Sequence, residues 1–127
     1  MNWNDYPNFS PREFDCKQTG DNKMRPEFME LLQAVRDSWG KPIKINSGYR
    51  SPHHSVEKGK DRPGTHTYGI AADIMISGAD VASFITLCYS YGVRRFGLQQ
   101  KGPFTSRFIH IDIGDRLFDL PPSTWSY

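Results

Sequence analysis

Cysteine is scarce in this 127-residue chain. Cys16 and Cys88 are the only two and show no CxxC spacing. A thiolate zinc knuckle is therefore excluded, and both read as buried thiols. No stretch approaches the ~18 apolar residues that a membrane-crossing helix needs, so no membrane insertion is expected. Charge of one sign is missing too: 16 Lys and Arg against 14 Asp and Glu leave +2. That is too little for the basic footprint of a nucleic-acid partner. The opening MNWNDYPNFS has no basic start followed by an apolar run, so no signal peptide is expected. Repeats and low-complexity tracts are also lacking, and residues 1–127 read as one domain. What the chain does have is 37% hydrophobic residues, with eight Phe, six Tyr and three Trp. That supply suffices for one compact core.

Local patterns divide the chain into elements. SPREF (10–14) reads as a short helical turn with Ser10 as N-cap and Pro11 at the first position. A helix is predicted over 26–39, where Phe28, Leu31, Leu32, Val35 and Trp39 recur at helical spacing before Gly40 and Pro42. A strand follows over 43–49, then a surface loop over 51–65 rich in Pro, Gly, Ser and charge. Further strands are predicted over 71–77, 94–99 and 108–113, with a helix over 79–91 capped by Ser77 and Asp80. The tail LPPSTWSY reads as irregular, anchored by Trp125 and Tyr127. Helices and strands that do not alternate regularly predict α+β: a small, mainly antiparallel sheet with helices on one face.

Two strands carry chemistry on their other face. In FIHIDIG (108–114), Ile109, Ile111 and Ile113 point one way and His110 and Asp112 the other. In AADIMIS (71–77), Ala72, Ile74 and Ile76 form the apolar face and leave Asp73 opposite. A carboxylate in so apolar a run needs a partner. If the strands pair, Asp73, His110 and Asp112 share a surface, and a turn at Gly69 can bring His66 over it. Two imidazoles and one carboxylate suit zinc with a fourth position open to water, a set that serves amide or ester hydrolysis.

GTHTYGIAAD (64–73) resembles the S-x-H-x-x-G-x-A-x-D signature of the D-alanyl-D-alanine metallopeptidases. That superfamily includes L-alanyl-D-glutamate endopeptidases of phage endolysins and the hedgehog signalling domain. KPIKINSGYRSPHH (41–54) and FIHIDIG are similar to its preceding strand-and-turn and its closing metal strand, in the same order. The resemblance implies one Zn2+ per chain held by His66, Asp73 and His110. It also implies that Arg50 lies near the scissile carbonyl or the substrate carboxylate. The activity it implies is cleavage of a peptide bond in bacterial peptidoglycan, by a monomer acting on the stem peptide. With no signal peptide, such a protein is expected to be made in the cytoplasm and to reach the wall by lysis or phage delivery.

The chain departs from that pattern twice. Gly64 replaces the leading Ser, and Arg107 stands where many members carry an acidic general base. Asp112 is then the nearest carboxylate for the base role, unless it orients a metal ligand instead. A non-catalytic zinc-containing module and a structural phage-tail component are the rival classes. His53 and His54 read as polar turn residues, and EKGKDRPG (57–64) as a solvated loop bordering the groove.

Overall fold

In a computed structural model, which describes residues 1–62 and 64–127, the chain is α+β. Its helices are α1 (Pro26–Trp39), α2 (Ser55–Lys58), α3 (Asp80–Ser90) and α4 (Gly114–Leu117). Its strands are β1 (Ile45–Ser47), β2 (Ala71–Ile74), β3 (Arg95–Gln99), β4 (Phe108–Asp112) and β5 (Ser123–Ser126). They form one sheet in the order β1-β2-β4-β3-β5, antiparallel except where β5 runs parallel to β3.

The two long helices, α1 and α3, form where periodicity predicts them, while α4 lies where no helix was predicted. α1 starts on Pro26 and ends at Gly40, whose φ of 72° is the left-handed conformation that glycine adopts without a steric penalty. Its inner face buries Phe28, Leu31, Leu32 and Val35, while Trp39 packs edge-on against Phe84 of α3 at 5.2 Å. Fully burying side chains of this size contributes about 1.5–3 kcal/mol each. These residues join Ala72, Ile74, Phe96, Ile109 and Ile111 in the core against one sheet face. The Ser10–Pro11 turn also forms, with the Ser10 N–H donating to the Glu13 carboxylate at 2.7 Å. α3 lacks the predicted Ser77 or Asp80 cap, because Ala79 takes the N-cap position with no side-chain bond.

Other elements differ from expectation, among them β2, which ends at Ile74 instead of running on to residue 77. β1 is shorter than predicted because its register shifts between Ile45 and Ser47. A β-bulge redirects a strand in this way, and the chain then turns to pair with the N-terminal segment, where the Tyr49 N–H donates to the Phe14 carbonyl at 2.8 Å. The predicted loop 51–65 contains α2, capped when His54 Nδ1 accepts from the Val56 N–H. Glu57, read as part of a solvated loop, is buried. The tail, read as irregular, supplies the edge strand β5.

Candidate metal centre

The sheet register assembles a row of residues across all five strands on the face away from the core. Ser47 pairs with Asp73, Asp73 with His110, His110 with Gly97, and Gly97 with Trp125. A neighbouring row holds Ala71, Asp112, Arg95 and Ser123. The period-2 alternation read from the sequence therefore puts Asp73, His110 and Asp112 on one surface.

His66 reaches that surface from a single helical turn, Thr65–Tyr68, that precedes β2. Gly69 ends the turn with φ 71°, and a Cβ there would stand 2.0 Å from the Lys23 carbonyl oxygen. Both the conformation and the space require glycine.

His66, Asp73 and His110 converge, and all three are buried. His110 Nδ1 lies 2.9 Å from Asp73 Oδ1 and 3.2 Å from His66 Nε2, and His66 Nε2 lies 3.2 Å from Asp73 Oδ1. Tetrahedral zinc with bonds of about 2.0–2.1 Å separates its ligand atoms by about 3.3–3.4 Å, so a small outward adjustment of this trio would admit the ion. The donor set of two imidazole nitrogens and one carboxylate oxygen fits a metal with an open coordination position.

The far edge of each imidazole is also secured. His66 Nδ1–H donates to the Gly48 carbonyl at 2.7 Å, which fixes the tautomer with its Nε2 lone pair facing the trio. His110 Nε2–H donates to Asp112 Oδ2 at 2.7 Å, leaving Nδ1 to face the trio. Outer partners of this kind orient ligating histidines and raise their basicity.

Of the two readings of Asp112, general base or orienter of a metal ligand, its contacts fit the second. It has no exposed surface and meets the edge of His110 opposite the ligand nitrogen. Its Oδ1 accepts from Arg95 Nε at 2.7 Å and from the Gly114 N–H at 2.9 Å. The Thr65 hydroxyl donates to Oδ2 at 3.3 Å. With both oxygens engaged, the carboxylate has no free edge toward the ligand atoms.

Electrostatics follow from this packing. Burial pushes the Asp73 pKa up, but hydrogen bonds from His110 and His66 outweigh it and hold the group well below the usual carboxylate range. Burial likewise works against charge on His110, yet its bonds to Asp112 and Asp73 raise its pKa. A metal bound there would compete with any proton held between His110 Nδ1 and Asp73.

The trio opens into a cleft of about 540 Å³ whose lining includes Arg50, Lys60, Trp125 and Tyr127. Arg50 leaves the strand before reaching the cleft, so β1 alternation does not set its side. Instead its N–H donates to the His66 carbonyl at 3.2 Å and its guanidinium to Glu57 at 3.1 Å. Glu57 also accepts from Lys60 at 2.9 Å and from the Gly64 N–H at 2.9 Å. Burial raises its pKa, but these partners outweigh it and lower it to about 2.

His53 and His54 stay outside the trio. Arg107 turns to the Gly102 carbonyl, 2.9 Å away. Sequence reasoning missed Gly48, Glu57, Thr65 and Arg95. Arg95 alone carried a signal, being two residues before Gly97 on the same strand face. No helix is long and apolar enough to cross a membrane among the described residues.

No curated protein matches the chain. The family model described as peptidase M15 matches residues 7–112, which include Arg50, the whole trio and Asp112. The chain belongs to the peptidase M15 family and is a metallopeptidase by that membership.

Proposed function

We propose that the protein is a zinc-dependent peptidoglycan hydrolase that cleaves a peptide bond of the stem peptide as an endopeptidase or carboxypeptidase. The observation that carries this reading is the trio itself. Three converging ligand atoms lie at the base of an open cleft, with both imidazoles held from behind. A structural zinc site would close its fourth position with protein, whereas a catalytic one leaves it open.

Zinc held by His66, Asp73 and His110 would polarise a carbonyl and lower the pKa of its water towards about 7. The chain's own residues do the rest. Gly48 and Asp112 hold the imidazoles in the ligating tautomer. Arg50, fixed by Glu57, presents a cation to the oxygen on which negative charge develops as the carbonyl is attacked. Arg50 and Lys60 together favour a substrate with carboxylates, which stem peptides carry. Asp112 acts through His110 as a positioning residue. Release by lysis or phage delivery, and action as a monomer, complete the reading.

A second reading has one observation in its favour. Among the described residues, the cleft's carboxylates are only Asp73, a ligand, and Asp112, which is sealed. A site without a free base suits a zinc-containing binding module or a structural phage-tail component. Incubating the protein with purified peptidoglycan, zinc-loaded and chelated, separates the classes. Zinc-dependent release of new muropeptides, identified by mass spectrometry, is expected. No new muropeptide under any metal condition would overturn the enzyme reading.

Asp112→Asn is expected to weaken zinc binding about 10–100-fold, as loss of a ligand-orienting carboxylate does. Competition against a chromophoric chelator measures this. Wild-type affinity with lost turnover would return Asp112 to the base role.

A further inference from the structure

The edge strand β5 puts two aromatic side chains on the metal face. Its register sets Trp125 opposite Gly97 and Ser126 opposite Leu98, so Trp125 and Tyr127 share one side. Gly97 is what admits them. A Cβ at that position would stand 2.6 Å from Trp125 Nε1 and 2.9 Å from the Tyr127 hydroxyl oxygen. The indole and the phenol therefore occupy the space that a side chain at 97 would fill, in the same row as His110.

Both rings reach the centre. Trp125 lies 5.3 Å from the His110 ring, centroid to centroid, and beneath the Arg95 guanidinium at 5.2 Å. Arg95 in turn bonds Asp112 and the Pro121 carbonyl, tying the tail to the network behind His110. Tyr127 lies 5.2 Å from Phe108, and all three aromatics line the cleft with the trio.

Tyr127 is not buried as a mere anchor would be, since 49% of it is exposed. Its oxygen accepts from the Trp125 indole, and among the described residues its own proton has no acceptor. Of the three wall residues, Phe108 lies within the family match and Trp125 and Tyr127 lie beyond it.

We infer that Tyr127 is a substrate-binding residue: its hydroxyl donates a hydrogen bond to a backbone carbonyl of the bound peptide, and its ring forms one wall of the cleft with Trp125 and Phe108. This rests on the peptidase reading above. The wall would set which peptide segment fits beside the metal, and so the choice of bond.

The test uses the zinc-loaded protein, a synthetic stem pentapeptide and the Tyr127→Phe and Tyr127→Ala variants. Steady-state kinetics follow cleavage, and NMR titration follows binding. Tyr127→Phe keeps the wall and removes the hydroxyl, so kcat/KM and peptide affinity are expected to fall about tenfold. Zinc content and melting temperature should stay at wild-type values. Tyr127→Ala removes the wall as well and should fall further. If the wild type cleaves the peptide and Tyr127→Phe matches it within twofold in KM, kcat and affinity, the assignment is overturned and the peptidase reading stands. A wild type that neither cleaves nor binds the peptide overturns both.

Discussion

Asp73→Ala is expected to abolish zinc retention and peptide cleavage together. Asp73 supplies the only anionic ligand atom of the trio, 2.9 Å from His110 Nδ1 and 3.2 Å from His66 Nε2. Without it, two neutral imidazoles face a divalent cation with no anionic ligand of their own, and Asp112 can compensate only through His110. Structural zinc sites bind with about 10–16 kcal/mol shared among four ligands, so one ligand carries on the order of 3 kcal/mol, a factor of more than a hundred. Metal analysis after dialysis should find zinc in the wild type and little in the variant. A ligand that binds only the folded state stabilises it by about 2.7 kcal/mol at a hundredfold excess over its dissociation constant. Zinc should therefore raise the wild-type melting temperature and leave that of the variant unchanged. A variant that holds zinc as tightly as the wild type would remove Asp73 from the ligand set.

Glu57→Gln should cost about 2–3 kcal/mol at pH 7, the second large effect. Its carboxylate has three partners and a side chain only 1% exposed. Removing one side of a buried ion pair costs about 3–5 kcal/mol, but Arg50 and Lys60 are partly exposed and can regain water. The lowering from 4.5 to about 2 gives a similar figure, roughly 3 kcal/mol.

The sign follows from the direction of that shift. A depressed carboxylate stabilises the fold fully above its unfolded value and loses this as pH falls through its folded one. Wild-type stability should thus drop between about pH 4.5 and 2. The variant should lack that part of the slope and keep the part due to Asp73 and Asp112, which are also lowered. Urea unfolding at pH 7, 4 and 3, with chelator present, reads the difference. Equal slopes would place Glu57 outside the ion-pair cluster.

The pairing of Asp73 with His110 was legible because strand alternation is a local signal, whereas His66 in its turn was singled out by the family resemblance. Ile109 and Ile111 commit one face to the core, which leaves His110 and Asp112 no other side. The turn at Gly69 was legible for the same reason, as its backbone needs glycine. Which edge of the His110 ring Asp112 would meet was not written locally. That depends on Arg95, Gly114 and Thr65 holding the carboxylate from three other segments. Glu57 looked solvated because its partners Arg50 and Gly64 each lie seven residues away, across a fold of the loop. β5 was invisible for a different reason. A four-residue segment after two prolines has little propensity of its own and becomes a strand only when β3 offers a parallel edge.

The two histidines are held by partners of unequal permanence. His66 is fixed by a main-chain carbonyl, at Gly48, and no substitution can delete that acceptor. A Cβ at Gly48 would also stand 2.7 Å from the Phe14 backbone, so the position itself resists exchange. His110 depends on a side chain, and that side chain depends on Arg95 and Thr65. Substitution at 65, 95 or 112 can therefore alter the outer support of His110, while the acceptor behind His66 belongs to the main chain and survives any side-chain exchange.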